Sequence, residues 1–243
     1  MEEQKMKKKI VTLLAVAMLM LTTRAMATTD AILNLGGSFS HSIASLVDGT
    51  KTTEGGGSID VSYLNGRKLD YLYCVDLFKE VFVPATYPNT TINNSGQIYG
   101  TQLVNANKVA YLLTTYGTGG QEPKAIALQA AIWYEVNYDS TTKKYRYTLD
   151  VDSYGTSSEI ATLYNNYINA ADNNHLDYVS KVTWITPGTT DVNGKLTMYQ
   201  GLVTSNPVPE PSTIILLGTG MLFMAVFGKR HMNKVACTIT HKA

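Results

Sequence analysis

Two short apolar runs stand at opposite ends of the chain and set the size of what can fold between them. Lys5, Lys7, Lys8 and Lys9 precede the run Ile10 to Leu21, which gives way to Ala25-Met26-Ala27. A charged start, a brief apolar core and a small-residue cut are the layout of a secretory signal peptide. We assign residues 1–27 to it and expect Thr28 to be the first mature residue. At the far end, Pro209-Glu210-Pro211 and Ser212-Thr213 lead into Ile214 to Phe227, closed by Gly228-Lys229-Arg230. That apolar stretch is shorter than the roughly 20 residues a spanning helix needs. A motif, a short apolar helix and a basic stop read as an address that is recognised and then removed.

The segment 207–243, with Val208-Pro209-Glu210-Pro211-Ser212-Thr213 at its head, resembles the PEP-CTERM sorting signal. The resemblance implies processing by exosortase, a membrane transpeptidase-like cysteine protease. It also implies transient contact with the membrane through 214–227, and a final place in the envelope or extracellular matrix of a bacterium with an exosortase system. Members of that family usually stop soon after the basic cluster, whereas His231 to Ala243 continues here.

Between the two addresses lies one candidate domain, residues 28–206, long enough for a single hydrophobic core. Of 19 acidic residues only Glu2, Glu3 and Glu210 fall outside Thr28–Val208, and nine of the 20 basic residues do. The span therefore carries 16 acidic against 11 basic side chains, a net charge of −5 where the whole chain carries +1. A mildly acidic exported domain lacks the basic patch that nucleic-acid binding requires, so we expect no nucleic-acid partner. Cys237 lies in the tail, which leaves Cys74 as the lone mature cysteine. With no intramolecular disulfide partner, such a thiol is an intermolecular link, a reactive group or a buried inert residue.

Periodicity predicts strands at both ends and helices between. Ala31 to Val47 alternates loosely. Ser58–Leu64 and Leu69–Leu77 flank Asn65-Gly66 and read as a hairpin, with Cys74 near the end of its second arm. Leu72, Tyr73 and Val75 make that arm apolar on both faces. Pro84 to Gly100, rich in Asn, Thr, Ser and Gly, reads as loop. Helices are expected over Asn105–Tyr116, from Pro123 to about Val136, and over Ser157–Ala171. Strands return at Tyr145–Val151, Val179–Ile185 and Lys195–Leu202, the last two flanking Asn193-Gly194. The expected fold class is α+β: sandwich- or barrel-like strands at both ends of the domain with a helical subdomain between them.

In the second of these helices, Ala125, Gln129, Ile132, Trp133 and Val136 fall on one face. Gln129 is thereby centred on an apolar stripe, where its amide needs partners. Either it hydrogen-bonds backbone in the core, or its carbonyl carbon bonds to the Cys74 sulfur with loss of ammonia, which removes the buried donors and the free thiol together. Tyr73-Cys74-Val75-Asp76 together with Leu128-Gln129-Ala130-Ala131-Ile132-Trp133 resembles the thioester domain of bacterial surface adhesins. There, an aromatic-Cys motif on a strand supplies the sulfur and a Gln-x-x-Ile/Val-Trp motif on a helix supplies the acyl carbon.

The resemblance implies a Cys74–Gln129 thioester and single-turnover acyl transfer to an amine or hydroxyl of a surface protein or polysaccharide. It implies no enzymatic turnover and no cofactor. Tyr73 and Trp133 are the candidate shielding side chains. The competing reading is a non-reactive structural protein of the extracellular matrix with Cys74 buried in its core. A cysteine hydrolase built on Cys74 with His41 or His175 has no surrounding signature. The aspartates lack EF-hand spacing and the histidines lack zinc spacing.

Overall fold

In the computed structural model, residues 28–120 and 122–205 are described. The signal-peptide assignment and the tail carrying Pro209, Glu210 and Pro211 lie outside them. Sixteen strands are assigned among the described residues: β1 Thr28–Leu35, β2 Phe39–Val47, β3 Thr50–Ile59, β4 Tyr63–Leu64, β5 Arg67–Lys68, β6 Tyr73–Cys74, β7 Ala85–Asn93, β8 Gln97–Ile98, β9 Thr101–Gln102, β10 Tyr138–Asp139, β11 Lys144–Tyr145, β12 Tyr147–Leu149, β13 Val182–Thr186, β14 Gly188–Thr190, β15 Leu196–Met198 and β16 Leu202–Ser205. Four helices join them: α1 Ala106–Tyr116, α2 Lys124–Val136, α3 Val151–Tyr154 and α4 Glu159–Asp172.

The α+β expectation is overturned: the fold is mostly β, with a curled half-barrel sheet and few helices. Seven strands form one antiparallel sheet in the order β5-β4-β1-β7-β13-β16-β6, and β12-β2-β3 form a second. The first sheet draws its strands from almost the whole length of the chain, so strands and helices are not segregated. Nor is α2 part of a separate helical subdomain. It packs on β2, β3, β12 and β6 as well as on α1 and α4. Every residue from Ala125 to Trp133 is buried. A helix enclosed on all sides needs apolar and small residues all round, and Ala125, Ala127, Ala130 and Ala131 supply the small ones.

The segment read as loop, Pro84–Gly100, contains β7, which lies between β1 and β13 in the large sheet. Its Asn, Thr, Ser and Gly clusters have the composition of a loop, and Pro88 cannot donate to a ladder. The register shows how it is housed. Tyr87 pairs with Leu33 and Thr90 with Ala31, so Pro88 and Asn89 together face Ile32 alone. Proline is placed at a bulge, where the ladder is already interrupted.

The Asn65-Gly66 turn is present, with φ of 51° and 77° as a two-residue hairpin turn demands. Its arms are only β4 and β5, however. Cys74 is not on a hairpin arm but on β6, an edge strand paired with β16. Leu72 to Val75 are all buried, as their composition predicts. The three longer helices fall where periodicity and capping place them, and Ser158 Oγ caps α4 by accepting from the Ala161 N–H at 3.2 Å. No helix among the described residues is long and apolar enough to cross a membrane.

Candidate functional site

Cys74 and Gln129, 55 residues apart in sequence, meet in the core. Both are fully buried. The Gln129 amide spans the main chain of Cys74: its Oε1 accepts from the Cys74 N–H at 3.0 Å, and its Nε2 donates to the Cys74 carbonyl at 2.7 Å. The local fold explains this clasp. In an antiparallel pair, successive residues point their backbone groups alternately toward and away from the partner strand. The Val75 N–H is given to Gly201 O, on the β16 side. Cys74 faces the other way, onto the open edge of β6, where buried N–H and C=O groups must find partners. The Gln129 side chain closes that edge as one residue of a neighbouring strand would.

The space for Gln129 comes from Gly56 on β3. A Cβ there would lie 3.1 Å from Gln129 Cγ and 2.5 Å from Ile43 Cδ1. Gly55-Gly56-Gly57 is the sequence signal that could have pointed to this close approach, since glycine inside a strand marks one.

Burial, and secondarily the negative charge of Asp76, push the Cys74 thiol far above its ordinary pKa. The thiol is protonated and shielded at neutral pH, unlike an exposed redox cysteine. Asp76 itself is pinned. Its Oδ1 accepts from the Phe78 N–H and its Oδ2 from the Tyr99 hydroxyl at 2.7 Å. Tyr99 also accepts from the Gly201 N–H at 2.9 Å, so it ties the strand end after Cys74 to β16. Its own hydroxyl is held protonated, by burial first and by Asp76 second. Sequence reasoning missed Tyr99, which sits in the segment read as loop.

Tyr73 is buried with its hydroxyl donating to Thr118 O at 2.6 Å. Its ring meets Tyr71 edge-on at 6.0 Å. Trp133, one turn beyond Gln129, is buried edge-on against Tyr147 at 5.4 Å. Its indole N–H finds no partner. Trp133 also lines a cavity of about 140 Å³ with Phe39, Leu77, Val81 and Gln200. Among the described residues no group of three or more His, Cys, Asp or Glu side chains could hold a metal ion.

Two features stand beside the pair. His41 Nδ1 lies 2.6 Å from Glu122 Oε1, while His175 is exposed after α4. On the far end of α2, buried Glu135 meets Lys108 Nζ at 3.1 Å and Asn105 Nδ2 at 3.0 Å.

Residues 207–230 match the PEP-CTERM protein-sorting motif. No curated protein and no solved structure matches the chain. The motif defines the class: an exported protein handled by exosortase, bound for the surface or exterior of an exosortase-bearing bacterium. It covers the tail alone, so the chemistry of the domain is argued from Cys74 and Gln129.

Proposed function

We propose that this exported domain attaches covalently to a target through an internal thioester between Cys74 Sγ and Gln129 Cδ. The carrying observation is the clasp: a glutamine amide held at 3.0 and 2.7 Å to the backbone of Cys74, the one cysteine among the described residues, in a fully buried site. In the forming step, the sulfur bonds to Cδ, the C–N bond breaks, and the amide nitrogen takes the thiol proton and leaves as ammonia. The product is an activated acyl group that survives where water is excluded. An incoming amine or hydroxyl then takes the acyl carbon and Cys74 leaves as a thiol. This is covalent catalysis without regeneration, since Gln129 stays attached to the target.

Intact mass of the freshly purified exported protein tests the reading. A deficit of one ammonia, with methylamine restoring a free thiol and labelling Gln129, is the expected result. A full sequence mass with no methylamine adduct would sink it.

A second reading has its own observation. The two hydrogen bonds already satisfy much of the Gln129 amide, as most buried polar groups are satisfied. In that case the domain is a structural component of the extracellular matrix, and the same mass measurement shows no deficit.

A further inference from the structure

Beside the Cys74–Gln129 pair lies a second constellation, on the two-stranded ribbon β2–β3. His41, Ile43 and Ser45 alternate along β2, and Ile43 and Ser45 are buried. By strand periodicity all three face inward, toward α2. His41 pairs directly with Gly56. Directly opposed residues project to the same face with Cβ positions about 5 Å apart, and Gln129 Cγ occupies the ground in front of Gly56. His41 and Gln129 therefore both approach the side-chain-free position 56 from one face, with Ile43 packed beside it.

The ladder is irregular here. Phe39 pairs with Ile59 and His41 with Gly56, so Gly57 and Ser58 together face Ser40. Gly57 takes a φ of +75°, the left-handed conformation of a glycine bulge, a device that re-aims neighbouring side chains. A Cβ on Gly57 would clash with Ser40 Oγ and lie 2.9 Å from His41 Cδ2 and 3.7 Å from Ala125 Cβ. Any other residue would displace His41 from the start of α2.

The histidine is oriented and has one nitrogen to spare. Nδ1 is 2.6 Å from Glu122 Oε1, whose side chain is 60 % exposed. Nε2 is buried with no partner, and so is Ser40 Oγ. A carboxylate that fixes one ring nitrogen leaves the other as the acceptor, the division of labour found where an imidazole serves as a base. Ser40, His41, Ser42, Gly55 and Glu122 line an open cavity of about 610 Å³. Its lining carries a carboxylate and several hydroxyls, which suits a protonated primary amine. Gly55 lines that cavity, and a Cβ on the next residue, Gly56, would lie 3.1 Å from Gln129 Cγ.

Resting on the thioester reading above, we infer that this cavity admits the target's lysine amine and that His41 is the general base for its attack on the Gln129 acyl carbon. Nε2 takes one proton from the entering ammonium. The freed lone pair forms the C–N bond to Gln129 Cδ, and the C–S bond pair leaves on Cys74 Sγ. A second proton passes from the attacking nitrogen to the sulfur. The products are an isopeptide and a Cys74 thiol, and the imidazolium returns its proton to water in the cavity. Glu122 is a positioning residue that holds the ring with Nε2 free.

The test uses the exported protein with methylamine as probe, following mass and free thiol together. In His41→Ala the ammonia deficit should persist, while the methylamine rate falls about 100-fold, the lower end of general-base contributions. Added imidazole should restore much of the rate, which a merely structural histidine would not allow. Glu122→Gln should keep the deficit and slow the reaction less. Equal rates in wild type and His41→Ala overturn the inference while leaving the thioester standing, as does a slow variant that imidazole fails to rescue. A folded His41→Ala without the deficit overturns it too, since His41 would then act in forming the bond. Absence of the deficit in wild type overturns the thioester reading itself, and this one with it. Should His41→Ala not fold, Glu122→Gln decides, because its side chain is largely solvent-exposed: an unchanged rate there overturns the role of the His41–Glu122 pair.

Discussion

Replacing Cys74 by alanine removes one buried sulfur and nothing else, because Gln129 grips the main chain at that position and not the side chain. Loss of a single buried apolar-like atom costs about 1 kcal/mol. A covalent link between Cys74 and Gln129 changes that figure. It closes a loop of 55 residues, and the chain-entropy relation for cross-links gives about 4 kcal/mol for a loop of that length. The alanine variant should then lose about 5 kcal/mol in total, the sum of the packing and cross-link contributions. For a domain of this size, 1 kcal/mol corresponds to about 2–4 °C in melting temperature. The two cases are thus a drop of about 2–4 °C without the bond and about 10–20 °C with it. Scanning fluorimetry at one fixed heating rate suits the measurement, since an unfolded thioester hydrolyses and prevents reversible melts. Methylamine-treated wild type is the internal control: it loses the cross-link but keeps the sulfur, and should fall nearly as far. A drop within about 4 °C in both samples, with intact mass equal to the sequence mass, would refute the cross-link.

Gln129→Ala should lower the melting temperature further than Cys74→Ala in the same assay. It strands the buried Cys74 N–H and C=O, at about 1–3 kcal/mol for each unsatisfied group; an equal or smaller drop would contradict the clasp. Gly56→Ala should cost about 1–3 kcal/mol by overpacking, because its Cβ would lie 2.5 Å from Ile43 Cδ1, and it should lower the fraction of protein showing the ammonia deficit. Glu135 gives a pH prediction. Burial raises its pKa against the opposing pull of Lys108, so its contribution is fully present below the unfolded value of about 4.3 and is lost as pH rises through the folded value. Glu135→Gln should accordingly gain on wild type between pH 4 and pH 7 in parallel melts, and a constant difference would contradict it. Peptide mapping of surface material should recover a mature start near Thr28 and little of Ile214–Phe227; abundant recovery of that apolar segment would point to a permanent anchor.

The parts of this fold that were legible in the sequence are those specified locally. α1, α2 and α4 carry their own periodicity and end signals, and Asn65-Gly66 carries its own turn chemistry. What was not legible depends on partners distant in the chain. Strands of two or three residues, such as β6, have no periodicity to read, and β6 exists only because β16 pairs with it. The Asn-, Thr-, Ser- and Gly-rich composition around β7 argued for loop on local grounds, and Pro88 is accommodated by a bulge that only the register with β1 creates. α2 reads as amphipathic because Gln129 and Trp133 share a stripe with Ala125, yet its other faces are also covered. At the site, Cys74 and Gln129 were legible as residue types. Gly56 and Tyr99 were not, and His41 was legible only as a hydrolase partner of Cys74, because the part each plays lies in which residue it faces.

The geometry also sharpens why the pairing of residue types is informative. Gln129 completes the open edge of β6 through main-chain groups that every residue at position 74 would offer, proline aside for the donor. A structural Gln129 therefore places almost no demand on the side chain it clasps. Valine or alanine would serve a buried edge as well as cysteine does. The thioester reading does place a demand, because only a sulfur at position 74 converts the clasp into a bond. Burial keeps that sulfur protonated, so the enclosure that would protect the thioester from water also slows its formation, and the two effects must be balanced by position. On the thioester reading, the amide already hydrogen-bonded to the cysteine backbone would supply that position, by the proximity that lets a weak nucleophile react. Cys74→Ser isolates this point: the clasp and nearly the whole side-chain volume remain, while a hydroxyl replaces the thiol. A variant that melts like wild type would place Cys74 with inert core residues, whereas one that falls as far as Cys74→Ala and loses the ammonia deficit would tie both properties to the sulfur.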